Sequence, residues 1–266
     1  IVASGMKNQK KNSRRFRYSI MKKILPSLYE LKKAVLLPRT MYVRRKFKAK
    51  TGFAKAAMEL HYYRPSFLKF MGATMMDKHI LHDADLEPDS VVIDVGAFNG
   101  SWAQNIIERY DPIIYAFEPN TKSYSALAEK AENNPKLKIL PYGLGEEDEM
   151  VEFTINGKGS SMYEDRTRHA ELARETVEIR AIDRVWKELK IGQVDLMKIN
   201  IEGAEFPLLE KMIEADLLGN VDSYMIQFHE WHPGAYGRRR RIRKELSKTH
   251  RLLWDYHFVW EKWVRL

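Results

Sequence analysis

The 266-residue chain is 44% hydrophobic and 11% aromatic, ample for a sizeable core, and its lack of cysteine excludes disulfides, thiolate metal sites and a cysteine nucleophile. No stretch approaches the roughly 18 uninterrupted apolar residues of a membrane span, and the start of the chain lacks the apolar run of a signal peptide, so a cytoplasmic enzyme is expected. The net charge of +9 is uneven: residues 1–50 hold sixteen Lys and Arg against one acid, Glu30, which makes this segment +15 and the remainder −6.

Residues 1–5 precede Met6 and read as an appended remnant. In the basic segment, Ile20, Ile24, Leu28 and Leu31 recur at helical spacing among Lys22, Lys23, Lys32 and Lys33, with Pro26 breaking the pattern and Pro38 closing it. The pattern predicts a basic amphipathic helix, suited to packing on a domain or a second copy, or to an anionic membrane surface or other polyanion. Further helices are expected over 51–63 and 66–81, before the turn Glu87-Pro88-Asp89. The expected organisation is a basic helical arm over 1–64 and one domain over 65–266.

From residue 91 short apolar runs alternate with helical segments. Strands are expected at 91–95, 113–117, 137–140, 194–200 and 223–229, and helices at 101–109, 121–132, 184–189 and 204–215. That alternation predicts an α/β fold with a mostly parallel sheet covered on both faces. Residues 149–155 and 176–181 alternate like exposed strands around the Gly-rich stretch 156–161, an insertion near 149–182. The aromatic-rich 251–264 suggests a closing antiparallel hairpin.

The first strand ends in Asp94-Val95-Gly96-Ala97-Phe98-Asn99-Gly100-Ser101. Gly96 and Gly100 let the backbone approach a ligand, Ser101 is positioned to cap the next helix, and Asp94 puts a carboxylate at the strand's end. A pyrophosphate loop would carry a further glycine and no preceding acid, so the pattern suits a ligand with an amino or sulfonium charge. Glu118 ends the second strand, about twenty residues on, where an acid accepts ribose hydroxyls. Together the two acids indicate S-adenosylmethionine.

Farther along, Lys198 and Asn200 share one face of a central strand, a costly placement unless they are paired. Glu202, Gly203 and Glu205 follow at the same crevice, and the next strand delivers His229, Glu230 and His232 to its rim. His229 is the preferred general base, with Glu202 and Glu230 competing and Lys198 orienting Glu202 or offsetting charge at the reacting oxygen. A divalent metal on Glu202, Glu230 and the Asn200 amide oxygen is the other arrangement that these residue types allow.

In order and spacing, VVIDVGAFNGSWA (91–103), IYAFEPN (114–120), PYGLGEEDEMVEF (141–153), GKGSSM (157–162), VDLMKINIEGAEFPLLE (194–210) and IQFHE (226–230) resemble the FkbM family of S-adenosylmethionine-dependent methyltransferases. The resemblance spans about residues 80 to 255. It implies a Rossmann-like class I methyltransferase fold and O-methylation of hydroxyls on sugars, polyketides or related small molecules. It also implies that Asp94, Gly96, Ala97 and Gly100, within the loop that includes Phe98, Asn99 and Ser101, hold the methionine part. Glu118, with Pro119 and Asn120 beside it, would take the ribose; Gly143 and Leu144 would edge the adenine, and Asn200 would border the cofactor. The family pattern has Asp where this chain has Asn200, which removes a charge there. The competing class is a nucleic-acid methyltransferase using the arm and the run RRRRIRK at 238–244. Partners implied are a glycan or small-molecule acceptor and, through the arm, an anionic membrane surface.

Overall fold

A computed structural model describes residues 65–132, 134–154 and 174–266. The chain divides into two compact units, Ile1–Arg64 and Pro65–Leu266. The helices expected over residues 20–36 and 51–63, and the Gly-rich stretch 156–161, lie outside the described residues.

Helix α1 (Pro65–Met76) opens with proline at its first position, where the missing N–H costs nothing. It was expected to reach residue 81 but stops at Met76. There the Asp77 carboxylate accepts the His79 N–H at 2.8 Å and turns the backbone out of the helical path. The alternation begins with β1 (Val91–Val95), followed by α2 (Ser101–Tyr110), β2 (Ile113–Phe117), α3 (Thr121–Ala131) and β3 (Leu137–Leu140). Next come β4 (Gly143–Gly145), β5 (Glu149–Thr154), β6 (Arg174–Ala181) and α4 (Ile182–Glu188). The chain then forms β7 (Leu196–Ile199), α5 (Glu205–Glu214), β8 (Ser223–Ile226), α6 (Ala235–Leu246), β9 (His250–Tyr256) and β10 (Trp260–Arg265).

Seven strands make one sheet in the order β3-β2-β1-β7-β8-β10-β9. The first five in that order run parallel, while β10 is antiparallel to β8 and to β9, as the C-terminal hairpin pattern predicts. This is a Rossmann-like, doubly wound arrangement with an antiparallel C-terminal hairpin. Period-2 alternation divides its core between two faces. Ile93, Val95, Met197 and Ile199 join Phe206, Leu208 and Ile182 on one, while Val92, Ile114, Ala116 and Leu196 join Ile106 and Leu127 on the other. Full burial of a Val or Ile contributes about 1.5–3 kcal/mol, so the β-branched runs both choose the strand and hold it at the centre. A second sheet, β4-β6-β5, carries the expected insertion strands; β4 is a three-residue strand that the sequence does not announce.

Strand order reverses between β1 and β7, where Asp94 pairs in register with Lys198. In an open α/β sheet the crevice beyond the carboxyl ends at such a point is the place a ligand enters.

Candidate active site

The loop from β1 to α2 is built from hydrogen bonds and two left-handed glycines. The Gly96 and Ala97 amides donate to Phe117 O at 3.1 and 3.0 Å, tying the loop to the end of β2. Gly96 has φ 78°, and a Cβ on it would stand 2.3 Å from Asn200 O and 2.9 Å from Ile201 Cγ2. A Cβ on Gly100 (φ 72°) would stand 2.4 Å from Leu127 Cδ1. Both glycines are therefore demanded by their protein neighbours. The structure corrects the reading of Ser101: the helix N-cap is Gly100, without a side-chain cap. Asn99 Oδ1 instead accepts the Ser101 N–H at 3.1 Å and its hydroxyl at 2.7 Å.

Asp94 is fully buried, and its Oδ1 lies 2.8 Å from Lys198 Nζ, which also donates to Gly96 O at 2.8 Å. Lys198 thus resolves its own burial by pairing with the acid across the reversal point, and the two charges cancel. It neither orients Glu202 nor reaches the crevice wall as the sequence reading supposed. Asp94 Oδ2 and Asn200 Oδ1 remain buried without a hydrogen-bonding partner.

Glu118 is nearly buried at the end of β2, accepting the Phe98 N–H at 2.7 Å and the Asn120 N–H at 3.0 Å. Burial raises its pKa, against the pull of those two amides and of Lys198. Each carboxylate oxygen keeps a lone pair beyond its amide bond. Asn120 caps α3 by accepting the Ser123 N–H at 3.0 Å, and it donates to Glu175 Oε2 at 2.6 Å. Glu175 also accepts from the Thr121 amide and hydroxyl, so the β6 strand latches the loop that carries Glu118.

These elements enclose a crevice whose wall includes Gly96, Phe98, Glu118, Pro119, Asn120, Gly143, Leu144, Asn200 and Glu202 among the predicted residues. Phe153 and Ile179 of the second sheet complete its apolar side. Sequence reasoning missed both; the available signal was Gly143, whose Cβ would meet Ile179 Cδ1 at 2.6 Å. Asp94, Ala97, Asn99, Gly100 and Ser101 are not among the residues that line the crevice.

Beyond β7 the backbone turns through Glu202 (φ 49°) and Gly203 (φ 101°). The fully buried Glu205 opens α5; its Oε2 accepts the Gly203 N–H at 2.8 Å and its Oε1 accepts the His229 N–H at 2.7 Å. His229 Nδ1 lies 3.1 Å from Glu205 Oε1, and Nε2 lies 3.5 Å from Glu202 Oε2. Burial works to lower the His229 pKa, but the Glu205 hydrogen bond and the Glu205 and Glu202 charges outweigh it and the net shift is upward. Burial raises the Glu202 pKa, opposed by His229. His229 is thus one step back from the wall that Glu202 lines.

The other two groups expected at this rim are placed differently. β8 ends at Ile226, so residues 229–232 belong to the following loop. Glu230 is exposed and accepts the Tyr236 hydroxyl at 2.6 Å, and His232 Nδ1 turns to Pro233 O at 2.8 Å. Glu230 stays outside the wall that holds Asn200 and Glu202, so the metal set drawn from the sequence is not assembled. Among the described residues no group of three or more His, Cys, Asp or Glu is arranged to hold a metal.

The arginine run is largely consumed in bracing the fold. Arg238 bonds Glu210, Arg239 bonds Asp255 at 2.8 Å and the buried Glu261 at 2.6 Å, and Arg243 reaches the same two acids at 2.7 and 3.3 Å. Arg239 and Arg243 fasten α6 to the C-terminal hairpin, and Arg238 fastens it to α5. No helix of the described residues is long and apolar enough to cross a membrane.

The methyltransferase FkbM domain profile matches residues 94–258. No curated protein matches the chain. Among solved structures, similar folds include a Streptococcus mutans methyltransferase candidate in complex with SAH, at 11% identity over 72% of this chain and 97% of that one, TM-score 0.44. An rRNA methylase from Streptococcus thermophilus is 10% identical over 72% and 95%, TM-score 0.42. The fibrillarin pre-rRNA processing protein of Methanococcus jannaschii is 10% identical over 76% of each chain, TM-score 0.40. None of these three likenesses bears on the substrate. The profile match spans more than half the sequence, so the chain belongs to the FkbM family and is an S-adenosylmethionine-dependent methyltransferase.

Proposed function

We propose that this FkbM-family enzyme methylates a hydroxyl of a sugar, glycan or related small molecule, with Glu202 and His229 removing the hydroxyl proton. The observation that carries the reading is a crevice wall shared by Glu118 and Glu202, backed by a buried imidazole 3.5 Å behind Glu202. An alcohol is scarcely ionised at neutral pH, so its oxygen becomes a competent nucleophile only beside a positioned base.

The residues fit the cofactor. Glu118 retains acceptor capacity for the two ribose hydroxyls, and Pro119, Asn120, Gly143, Leu144 and Ile179 offer a flat, mainly apolar slot for adenine. Asn200 Oδ1, on the crevice wall and without a hydrogen-bonding partner among the described residues, is an acceptor that suits an α-ammonium. Because Lys198 neutralises Asp94, the neutral Asn200 amide recognises by hydrogen bonding rather than by charge. Bound S-adenosylmethionine supplies a methyl carbon activated by a sulfonium. The chain's own task is to fix the acceptor oxygen in line and take its proton.

The nucleic-acid alternative loses much of its footing because Arg238, Arg239 and Arg243 are engaged with acids. We assign the basic arm to an anionic membrane surface, where a lipid-linked or surface glycan would be met. Incubation of the enzyme with methyl-labelled cofactor and a panel of glycans, read by mass spectrometry, tests the proposal. Label on a sugar oxygen supports it; label confined to RNA or to nitrogen overturns it.

A further inference from the structure

We propose that Glu205 is a positioning residue for the base: it holds His229 in the tautomer whose Nε2 faces Glu202, so that Glu202 and His229 act as one proton relay. This rests on the hydroxyl-methylation reading above. The sequence sets Glu205 beside Glu202 at the crevice without giving it a task, and its carboxylate is fully buried. Such a group is costly unless every lone pair it presents is used. The hydrogen-bonding partners of Glu205 come from the two loops that carry the reactive groups: Gly203 N–H at 2.8 Å beside Glu202, and the His229 N–H at 2.7 Å and Nδ1 at 3.1 Å. One side chain thus fastens the loop after β7 to the loop after β8.

A carboxylate against Nδ1 selects the Nδ1–H tautomer, because that nitrogen must donate. Nε2 is left as the basic nitrogen, and it points at Glu202 Oε2 from 3.5 Å. The Trp231 ring centroid lies 5.8 Å from that of the imidazole. Glu202 lines the crevice while His229 does not, so the relay has an outer and an inner member. As the hydroxyl oxygen forms its bond to the methyl carbon and the carbon–sulfur electron pair stays with sulfur, the hydroxyl proton leaves to Glu202 and passes to Nε2. The positive charge lost at sulfur reappears as an imidazolium between Glu202 and Glu205. Glu202 is returned to its carboxylate form, and the imidazolium releases its proton to solvent before the next turnover.

The test is long-range nitrogen–proton NMR of the histidine side chains in the full chain, with the His229 signal assigned by His229→Gln. The expected result at a pH above its titration is an Nδ1–H imidazole in the wild type. In Glu205→Gln that preference is lost, kcat falls about 10²-fold, at the low end of what positioned acid–base catalysis contributes, and KM for the cofactor stays within about twofold. Glu205→Asp, which restores the charge at shorter reach, recovers part of the rate. An Nε2–H tautomer in the wild type overturns the proposal without any variant having to fold. So does a Glu205→Gln enzyme that keeps both the Nδ1–H signal and the wild-type rate. Failure to bind S-adenosylhomocysteine would sink the functional reading instead, and the tautomer is measured independently of it.

Discussion

Replacing Gly96 by Ala tests the site's geometry at one atom. The added Cβ would lie 2.3 Å from Asn200 O, about 1 Å inside a normal carbon–oxygen contact of about 3.3 Å, and 2.9 Å from Ile201 Cγ2. The first obstacle is backbone, which cannot rotate aside as a side-chain end can. The left-handed conformation at φ 78° adds about 1–2 kcal/mol for any residue with a Cβ. Forcing the atom into a packed core adds about 1–3 kcal/mol. The sum, about 2–5 kcal/mol, is a large part of the 5–15 kcal/mol that holds a typical domain together. Urea denaturation should show the midpoint falling with the slope unchanged, and calorimetry should show S-adenosylhomocysteine binding weakened because Asn200 is displaced. Gly143→Ala is the contrast: its Cβ meets the movable end of Ile179 at 2.6 Å and carries no positive φ, so its midpoint should fall less. A Gly96→Ala protein with wild-type midpoint and affinity would refute the packing argument.

Four further outcomes are expected. The His229 pKa is raised above 6.5, so the neutral base is populated only above that raised value; kcat/KM should climb as pH rises through it, and a His229→Gln enzyme should lack this limb. The same shift means that stability contributed by the charged imidazole is full below 6.5 and lost as pH rises through the folded pKa, which pH-dependent denaturation will read. Arg239→Ala takes the 2.6 Å partner from the buried Glu261, which keeps Arg243 at 3.3 Å, so the cost should stay below the about 3–5 kcal/mol of a buried pair broken outright; an unchanged melting temperature would contradict the bracing role of the arginine run. Anionic liposomes should co-sediment the full chain more than a variant lacking residues 6–50, and equal partition would count against the membrane assignment.

Much of the sheet was legible because its central strands are buried on both faces and so read as short, mainly apolar runs, interrupted at Asp94 and Lys198. The loop after β1 and the acid after β2 were legible because their spacing is local. What escaped the sequence depends on distant pairing. Asp94 and Lys198 lie 104 positions apart, and nothing in either motif says that each neutralises the other. The arginine run looks like a polyanion surface until the helix turns Arg239 and Arg243 onto acids of the hairpin. Strand β4 hides because glycines weaken any strand signal. Glu205 hides because a glutamate at a helix start has an ordinary explanation in the helix dipole.

The account stands on a carboxylate-lined cofactor crevice at the β1/β7 reversal, and calorimetric titration of the full chain with S-adenosylhomocysteine tests it most directly. One-to-one binding, at least tenfold weaker in a folded Glu118→Ala variant, is the predicted result. Binding that ignores Glu118, or no binding by folded wild-type protein, would contradict it.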